Sequence, residues 1–141
     1  MKRSERTRIL IQGSPHVRCE LAQQIVDAYD VFTIAEPSPG LVMMTMRETA
    51  RKSKFNLGEV LVTEAKVQIQ GRLGLGLIAG EDEEAAYQLA VIDAAYNASL
   101  PETVRWQEVL RSEAVAIESR DRSEEARILE TRVAFQTMDA D

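Results

Sequence analysis

Four basic side chains within eight residues, Arg47, Arg51, Lys52 and Lys54, make up the segment of this sequence best suited to a phosphate or phosphonate group. Arginine offers a planar fork to such oxygens, and lysine a point charge. Arg72, reached across a turn, is expected near them. Glu59 and Glu64 flank an extended run and could pair with these bases or act as acid and base. Their five-residue spacing puts them on opposite faces of a regular strand, which argues against a carboxylate dyad. The alternative for the basic segment is a solvated loop.

Other constellations are weaker. Gly71, Gly74, Gly76 and Gly80 suggest a phosphate loop, but they do not fit the G-x-G-x-x-G spacing, and no lysine follows Gly80. Amides at Gly80 to Asp82 could still face an anion at a helix start, although Glu81 to Glu84 would repel it. His16 and Cys19 lie three residues apart on one helical face, a conceivable nucleophile pair that lacks a third orienting group. Asp93 interrupts an apolar stretch and reads as structural or interfacial. Met43, Met44 and Met46 read as adaptable packing rather than metal ligands.

Composition narrows the classes further. The chain has 141 residues, 45% of them hydrophobic, enough for one core without staples. One cysteine and one histidine exclude an internal disulfide and a zinc site of the usual nitrogen and sulfur ligands. No apolar run approaches the roughly 20 residues of a membrane span, and the apolar piece behind the basic N-terminus is too short for a signal peptide. A cytoplasmic location is the expectation. Residues 1–70 carry a net charge of +2 and residues 71–141 one of −8. So acidic a half argues against nucleic-acid binding, which needs a basic surface.

The elements that must position these residues form an α+β pattern, with a small antiparallel sheet packed with helices on one face. The chain reads as a single domain over residues 1–141. N-terminal helices are expected over 5–30, a sheet over 31–80, and over 81–138 a long helical region that ends either in two pieces or in a projecting helix. Glu5 to Gln12 suggests a short helix, and Ser14-Pro15 opens a second with Val17, Leu21, Ile25 and Ala28 as its stripe. Val31 to Ala35 reads as a strand that ends in a turn at Glu36 to Gly40, where two prolines and a glycine oppose regular pairing. A second extended run, Leu41 to Met46, follows.

From Glu59 to Gln70 the later half alternates, with Ala65, Val67 and Ile69 on one face. Gly71-Arg72 reads as a turn, and Leu73 to Gly80 as a strand whose glycine face lets something approach the backbone. Ala85, Leu89, Ile92 and Tyr96 mark the stripe of the next helix. From Pro101 to Met138 nothing interrupts a helix. Its stripe of Trp106, Leu110, Ala114 and Ile117 then gives way to a polar stretch, which suggests two pieces or one helix that packs on another chain.

Leu41-Val42-Met43-Met44, Phe55-x-Leu57-Gly58-Glu59, Thr63-Glu64-Ala65, Gly80-Glu81-Asp82 and Ile92-Asp93-Ala94, in that order and spacing, resemble the PhnG family of the bacterial carbon–phosphorus lyase system. The resemblance implies a subunit of a core complex with PhnH, PhnI and PhnJ, associated with the ATPase-like protein PhnL. With those partners it would support displacement of adenine from MgATP by a phosphonate. It implies no cofactor bound by this chain and no membrane partner, and it assigns the iron–sulfur cluster to the PhnJ subunit. It transfers no catalytic residue. Arg47, Arg51, Lys52, Glu59, Glu64 and Arg72 remain candidates for substrate or interface contact. The other classes open to the sequence are a stand-alone enzyme acting on a phosphorylated metabolite and a small adaptor module. The isolated chain is expected to self-associate through its partner-facing surface.

Overall fold

In the computed structural model, the backbone is described for residues 1–48 and 53–139 and the side chains for residues 1–43 and 58–129. Among the described residues seven elements follow one another: α1 (Arg3–Gln12), α2 (Pro15–Ala28), β1 (Phe32–Glu48), β2 (Ser53–Ile69), β3 (Arg72–Ala79), α3 (Glu83–Asn97) and α4 (Glu102–Asp139). The expected α+β class holds. Two compact units form, one of residues 15–106 and one of residues 1–14 with 107–141. No helix among the described residues is long and apolar enough to cross a membrane.

In the larger unit the three strands pair antiparallel in chain order, β1-β2-β3. The expected turn at Glu36 to Gly40 is instead part of one 17-residue strand, β1. Its register against β2 slips between Thr33 and Ala35 and again between Ala35 and Ser38. These bulges absorb the extra residues, and because β1 is an edge strand, proline's missing amide need not break a ladder on both sides. The β2–β3 turn also falls one residue earlier than expected. Gln70 and Gly71 both have positive φ, +50° and +79°, as a two-residue hairpin loop of the inward-twisting type requires, and Arg72 already belongs to β3.

Ala65, Val67 and Ile69 are fully buried, as their alternation predicts. They share a face with Gly74 and Gly76, since Ala65 stands opposite Gly76 and Val67 opposite Gly74. What approaches the bare glycine face is α3, whose Ala86, Ala90 and Ala94 recur every four residues. A Cβ on Gly76 would lie 2.7 Å from the Ala90 nitrogen and nearer still to the Ala86 carbonyl oxygen. One on Gly74 would lie 2.6 Å from the Ala94 Cβ and closer to the Ala90 carbonyl. Helix backbone and strand backbone are in direct contact here, which only glycine permits.

Polar side chains lock the same junction. Asp93 Oδ2 accepts from the Leu75 amide at 2.9 Å, and Asn97 Nδ2 donates to the Leu73 carbonyl at 2.7 Å, so two side chains of α3 reach the outer edge of β3. Thr63 Oγ1 donates to the Gly80 carbonyl at 2.6 Å and accepts from the Asp82 amide at 3.1 Å. Asp82 then caps α3 by accepting from the Ala85 amide at 3.0 Å.

α3 is buried nearly all round, from Ala85 to Ala95, beyond the stripe expected for it. The reason is that α2 also packs on it. Leu21 and Ile25 of α2 are buried as expected. Val17 is only half-buried and Ala28 is exposed, while Arg18 and Ala22 take the remaining places on the buried face. Arg18 Nε donates to Gln88 Oε1 at 3.0 Å, which rotates the stripe toward Arg18. At the start of α4, Trp106 meets Tyr96 edge-on at 5.8 Å between ring centres, and its indole N–H donates to Gln24 Oε1 at 2.9 Å. The Tyr29 hydroxyl donates to Glu102 at 2.9 Å. That bond, then burial, then the Glu102 charge raise the Tyr29 phenol above its usual pKa, with Arg105 opposing.

In the smaller unit, Arg6, Ile9 and Leu10 of α1 and Leu110 and Ile117 of α4 are buried. The exit from α1 is held by α4. Arg120 Nη2 donates to the Gln12 carbonyl at 2.8 Å, and the Ser14 amide donates to Glu113 Oε2 at 3.0 Å. A Cβ on Gly13 would sit 2.6 Å from that Glu113 oxygen and 2.7 Å from the Ile9 carbonyl oxygen, so the bend requires glycine. The C-terminal region is one 38-residue helix rather than two pieces. No residue from Glu118 to Leu129 is buried. Strong helix formers and pairs such as Glu118 with Arg122, four residues apart, sustain it there without a core.

Three substitutions check this description. Gly76→Ala is expected to lose about 3 kcal/mol in chemical denaturation, because a methyl group must displace helix backbone. Gly40→Ala, whose new Cβ would meet only Val62 Cγ2 at 3.7 Å, is expected to change stability by less than about 0.5 kcal/mol. Asp93→Ala strands the Leu75 amide at the buried junction and is expected to lose about 2 kcal/mol, with Asp93→Asn retaining part of it.

The Tyr29 bond has a pH signature. A folded-state pKa above the unfolded value stabilises the fold fully below the unfolded pKa of 10.0, and that contribution disappears as pH rises through the folded pKa. Tyr29→Phe is expected to be less stable than the parent chain at pH 8. Its stability should fall less steeply above pH 10, as followed by denaturation across that range.

Candidate functional site

Of the basic segment picked out from the sequence, Arg47 lies near the end of β1 and Lys54 near the start of β2. Arg47 stands opposite Lys54 in the backbone register. Arg51 and Lys52, and the side chains of Arg47, Lys54, Met44 and Met46, lie outside the described residues. Arg72 does not join them. It stands opposite Ile69 at the other end of the sheet, and the stretch of β2 from Lys54 to Ile69 spans roughly 50 Å at ~3.3 Å per residue. The sequence places Arg72 beside a turn, but the turn it adjoins is the β2–β3 one.

Glu59 and Glu64 are both exposed and point to opposite faces of β2, as their spacing predicts. Glu59 shares the face of Ala65 and Val67, and Glu64 stands on the other face between Ser38 and Leu77. They do not form an acid–base pair. Met43 is exposed, on the same face as Glu59.

The glycine-rich strand is a packing surface rather than a phosphate cradle. At the start of α3, the amides expected to face an anion are largely taken. Gly80 N–H donates to the Leu61 carbonyl at 2.8 Å, and Asp82 N–H to Thr63 Oγ1. The Asp82 carboxylate occupies the position where an anion would meet the first turn.

One feature escaped sequence reasoning because its two sides are some sixty residues apart in the chain. A cleft of about 410 Å³ opens between the starts of α2 and α3, lined by His16, Arg18, Cys19, Asp82, Glu84 and Gln88. Three of its polar side chains bond in a chain. Glu84 accepts from Gln88 Nε2 at 3.4 Å, and Gln88 accepts from Arg18. His16 Nε2 lies 3.4 Å from Glu20 Oε1, so the imidazole is aimed along its own helix and not at the exposed Cys19. A thiol without an adjacent base is not an activated nucleophile. Among the described residues, no three His, Cys, Asp or Glu side chains are grouped to hold a metal ion.

The residues behind the family resemblance therefore have visible work. Thr63, Gly80, Asp82 and Asp93 form the junction between sheet and α3, whereas Glu59, Glu64 and Glu81 remain exposed. Comparison with known proteins agrees with that resemblance. A relative from Rhizobium meliloti (strain 1021), the alpha-D-ribose 1-methylphosphonate 5-triphosphate synthase subunit PhnG, is 30% identical over 115 residues, covering 81% of this chain and 73% of that protein. The family model described as phosphonate metabolism protein PhnG matches residues 1–139. With a match across nearly its whole length and its signature residues holding the sheet to the helix, the chain belongs to the PhnG family of phosphonate metabolism proteins.

Proposed function

We propose that this chain is a cytoplasmic subunit of a ribose 1-methylphosphonate 5-triphosphate synthase, acting in phosphonate catabolism with PhnH, PhnI, PhnJ and PhnL as its partners. The observation that carries this reading is the relative's name as a synthase subunit, joined to a match over most of both chains. The described residues support an accessory role. Asp82 and Asp93, two carboxylates of the family-like segments, bond backbone amides of this chain, and Arg18, Gln88 and Glu84 of the cleft bond in a chain. In this reading a phosphonate displaces adenine from MgATP at a site completed by the partners, and the iron–sulfur chemistry belongs to PhnJ. Arg47, Arg51 and Lys52, with Glu59 on the same hairpin, contact substrate or a partner subunit. Glu64, on the outer sheet face, and Arg72, at the far end of the sheet, would make interface contacts separate from that segment, Glu64 with any neighbouring chain on that face, a second copy included.

Co-expression with the partner subunits tests the reading. The chain should co-purify with them, and adenine release from MgATP plus methylphosphonate should require it. An assembly that forms and turns over equally well without this chain would defeat the proposal. Replacing Arg47, Arg51 and Lys52 together by alanine is expected to lower adenine release or complex yield at least about tenfold, the loss of one charge-assisted contact, with the fold intact by circular dichroism.

A further inference from the structure

The outer face of the sheet, turned away from α3, carries apolar side chains that nothing among the described residues covers. Directly paired residues share a face, so the register sets out its rows. Phe32, Gln68 and Leu73 form one row across the three strands; Ala35, Lys66 and Leu75 form the next; Ser38, Glu64 and Leu77 the third. Phe32 is 59% exposed, Leu73 50%, Leu75 39% and Leu77 41%. The leucines alternate with Gly74 and Gly76, so the close approach of α3 on one face leaves three large side chains on the other.

Strand addition does not suit either edge of this sheet. The β1 edge carries Pro37, Pro39 and two bulges, and on the β3 edge Asp93 and Asn97 already take the Leu75 amide and the Leu73 carbonyl. An occupant must therefore lie on the face.

The charges on the middle strand select the occupant. Lys66 and Glu64 are neighbours on this face, and neither side chain has a hydrogen bond or ion pair with another described residue. A two-fold axis lying between two facing sheets, perpendicular to the strands and passing between these two rows, brings Lys66 opposite Glu64 of the second copy and Glu64 opposite its Lys66. The same rotation sets Leu75 against Leu77 of the second copy, and the reverse. The pattern is complementary to itself, as a symmetric dimer interface requires. A wholly apolar partner would leave both charges desolvated and unpaired.

We infer that the outer sheet face is a homodimer interface, on which two copies pack β3 leucines together and pair Lys66 and Glu64 reciprocally. It is independent of the functional reading above, because it concerns the chain alone. The face measures roughly 15 by 25 Å, smaller than the ~800 Å² per partner of a standard interface, so the association is reversible and concentration-dependent.

Sedimentation velocity of the full chain, from about 10 to about 500 µM, reads the equilibrium directly. A reversible dimer is expected for the parent chain. Lys66→Glu and Glu64→Lys, each placing like charges across the two-fold axis, are expected to weaken it about tenfold. The double variant Lys66→Glu with Glu64→Lys restores both pairs and should return to within about threefold of the parent. Leu75→Asp should abolish dimerisation, with helix content unchanged by circular dichroism. A parent chain that stays monomeric at the highest concentration overturns the inference and leaves the face to a different protein. So does a dimer indifferent to the single charge reversals, or one that the double variant fails to recover.

Discussion

The larger unit depends on a contact between two backbones. Gly74 and Gly76 remove the side chains from one face of β3, and Ala86, Ala90 and Ala94 remove all but a methyl group from the facing side of α3. At that separation the helix can do more than cover the sheet. Asp93 and Asn97, short side chains on the same helix, reach the free edge of β3 and satisfy its Leu75 amide and Leu73 carbonyl. An edge strand that would otherwise attract another strand is closed by its own helix. Larger residues at the two glycines would lift the helix and break these bonds together, so the packing and polar contributions at this junction are coupled.

The same junction explains why a family resemblance could be strong while a reaction centre was hard to find. Thr63 bridges Gly80 and Asp82 across the β3–α3 connection, Asp82 caps the helix, and Asp93 closes the sheet. Each is a polar residue at a position where chemistry is a natural suspicion, and each is engaged with backbone groups of this chain. The cleft between α2 and α3 follows the same rule, because Arg18, Gln88 and Glu84 bond one another across it. What remains for function is surface. A basic segment lies at the β1–β2 connection, with exposed carboxylates on both faces of β2, an apolar outer sheet face and a helix that continues past its last described buried residue, Ile117.

Much of this was legible from periodicity. Strict alternation located Ala65, Val67 and Ile69 on the buried face, and the alternating glycines announced a close approach. The stripe of Trp106, Leu110 and Ile117 is buried as its spacing requires. Local reading failed where a residue's neighbours in space decided its meaning. Pro37 and Pro39 looked like a turn, but on an edge strand with bulges they can be carried within β1. Val17 and Ala28 fitted a helical stripe that tertiary packing shifted to Arg18 and Ala22, because Gln88 supplies a partner for a buried guanidinium. Arg72 looked close to Arg47 because both adjoin turns, and only the register shows that the turns lie at opposite ends of the sheet.

By itself the sequence determined the class of the fold, the buried face of β2, the glycine face of β3, the absence of any proline or glycine from the C-terminal helical region, and the family. Each of these depends on residue type at short, regular intervals, and such intervals are conserved between chain and structure. Only the tertiary structure decided that α3 is what meets the glycines, that Asp93 closes a sheet edge, that the candidate basic residues divide between two ends of the sheet, and that leucines, Lys66 and Glu64 share an uncovered face. Those facts depend on strand register and on which backbone groups lack a partner. Both are set by contacts between segments far apart in the chain, where local propensity carries no information.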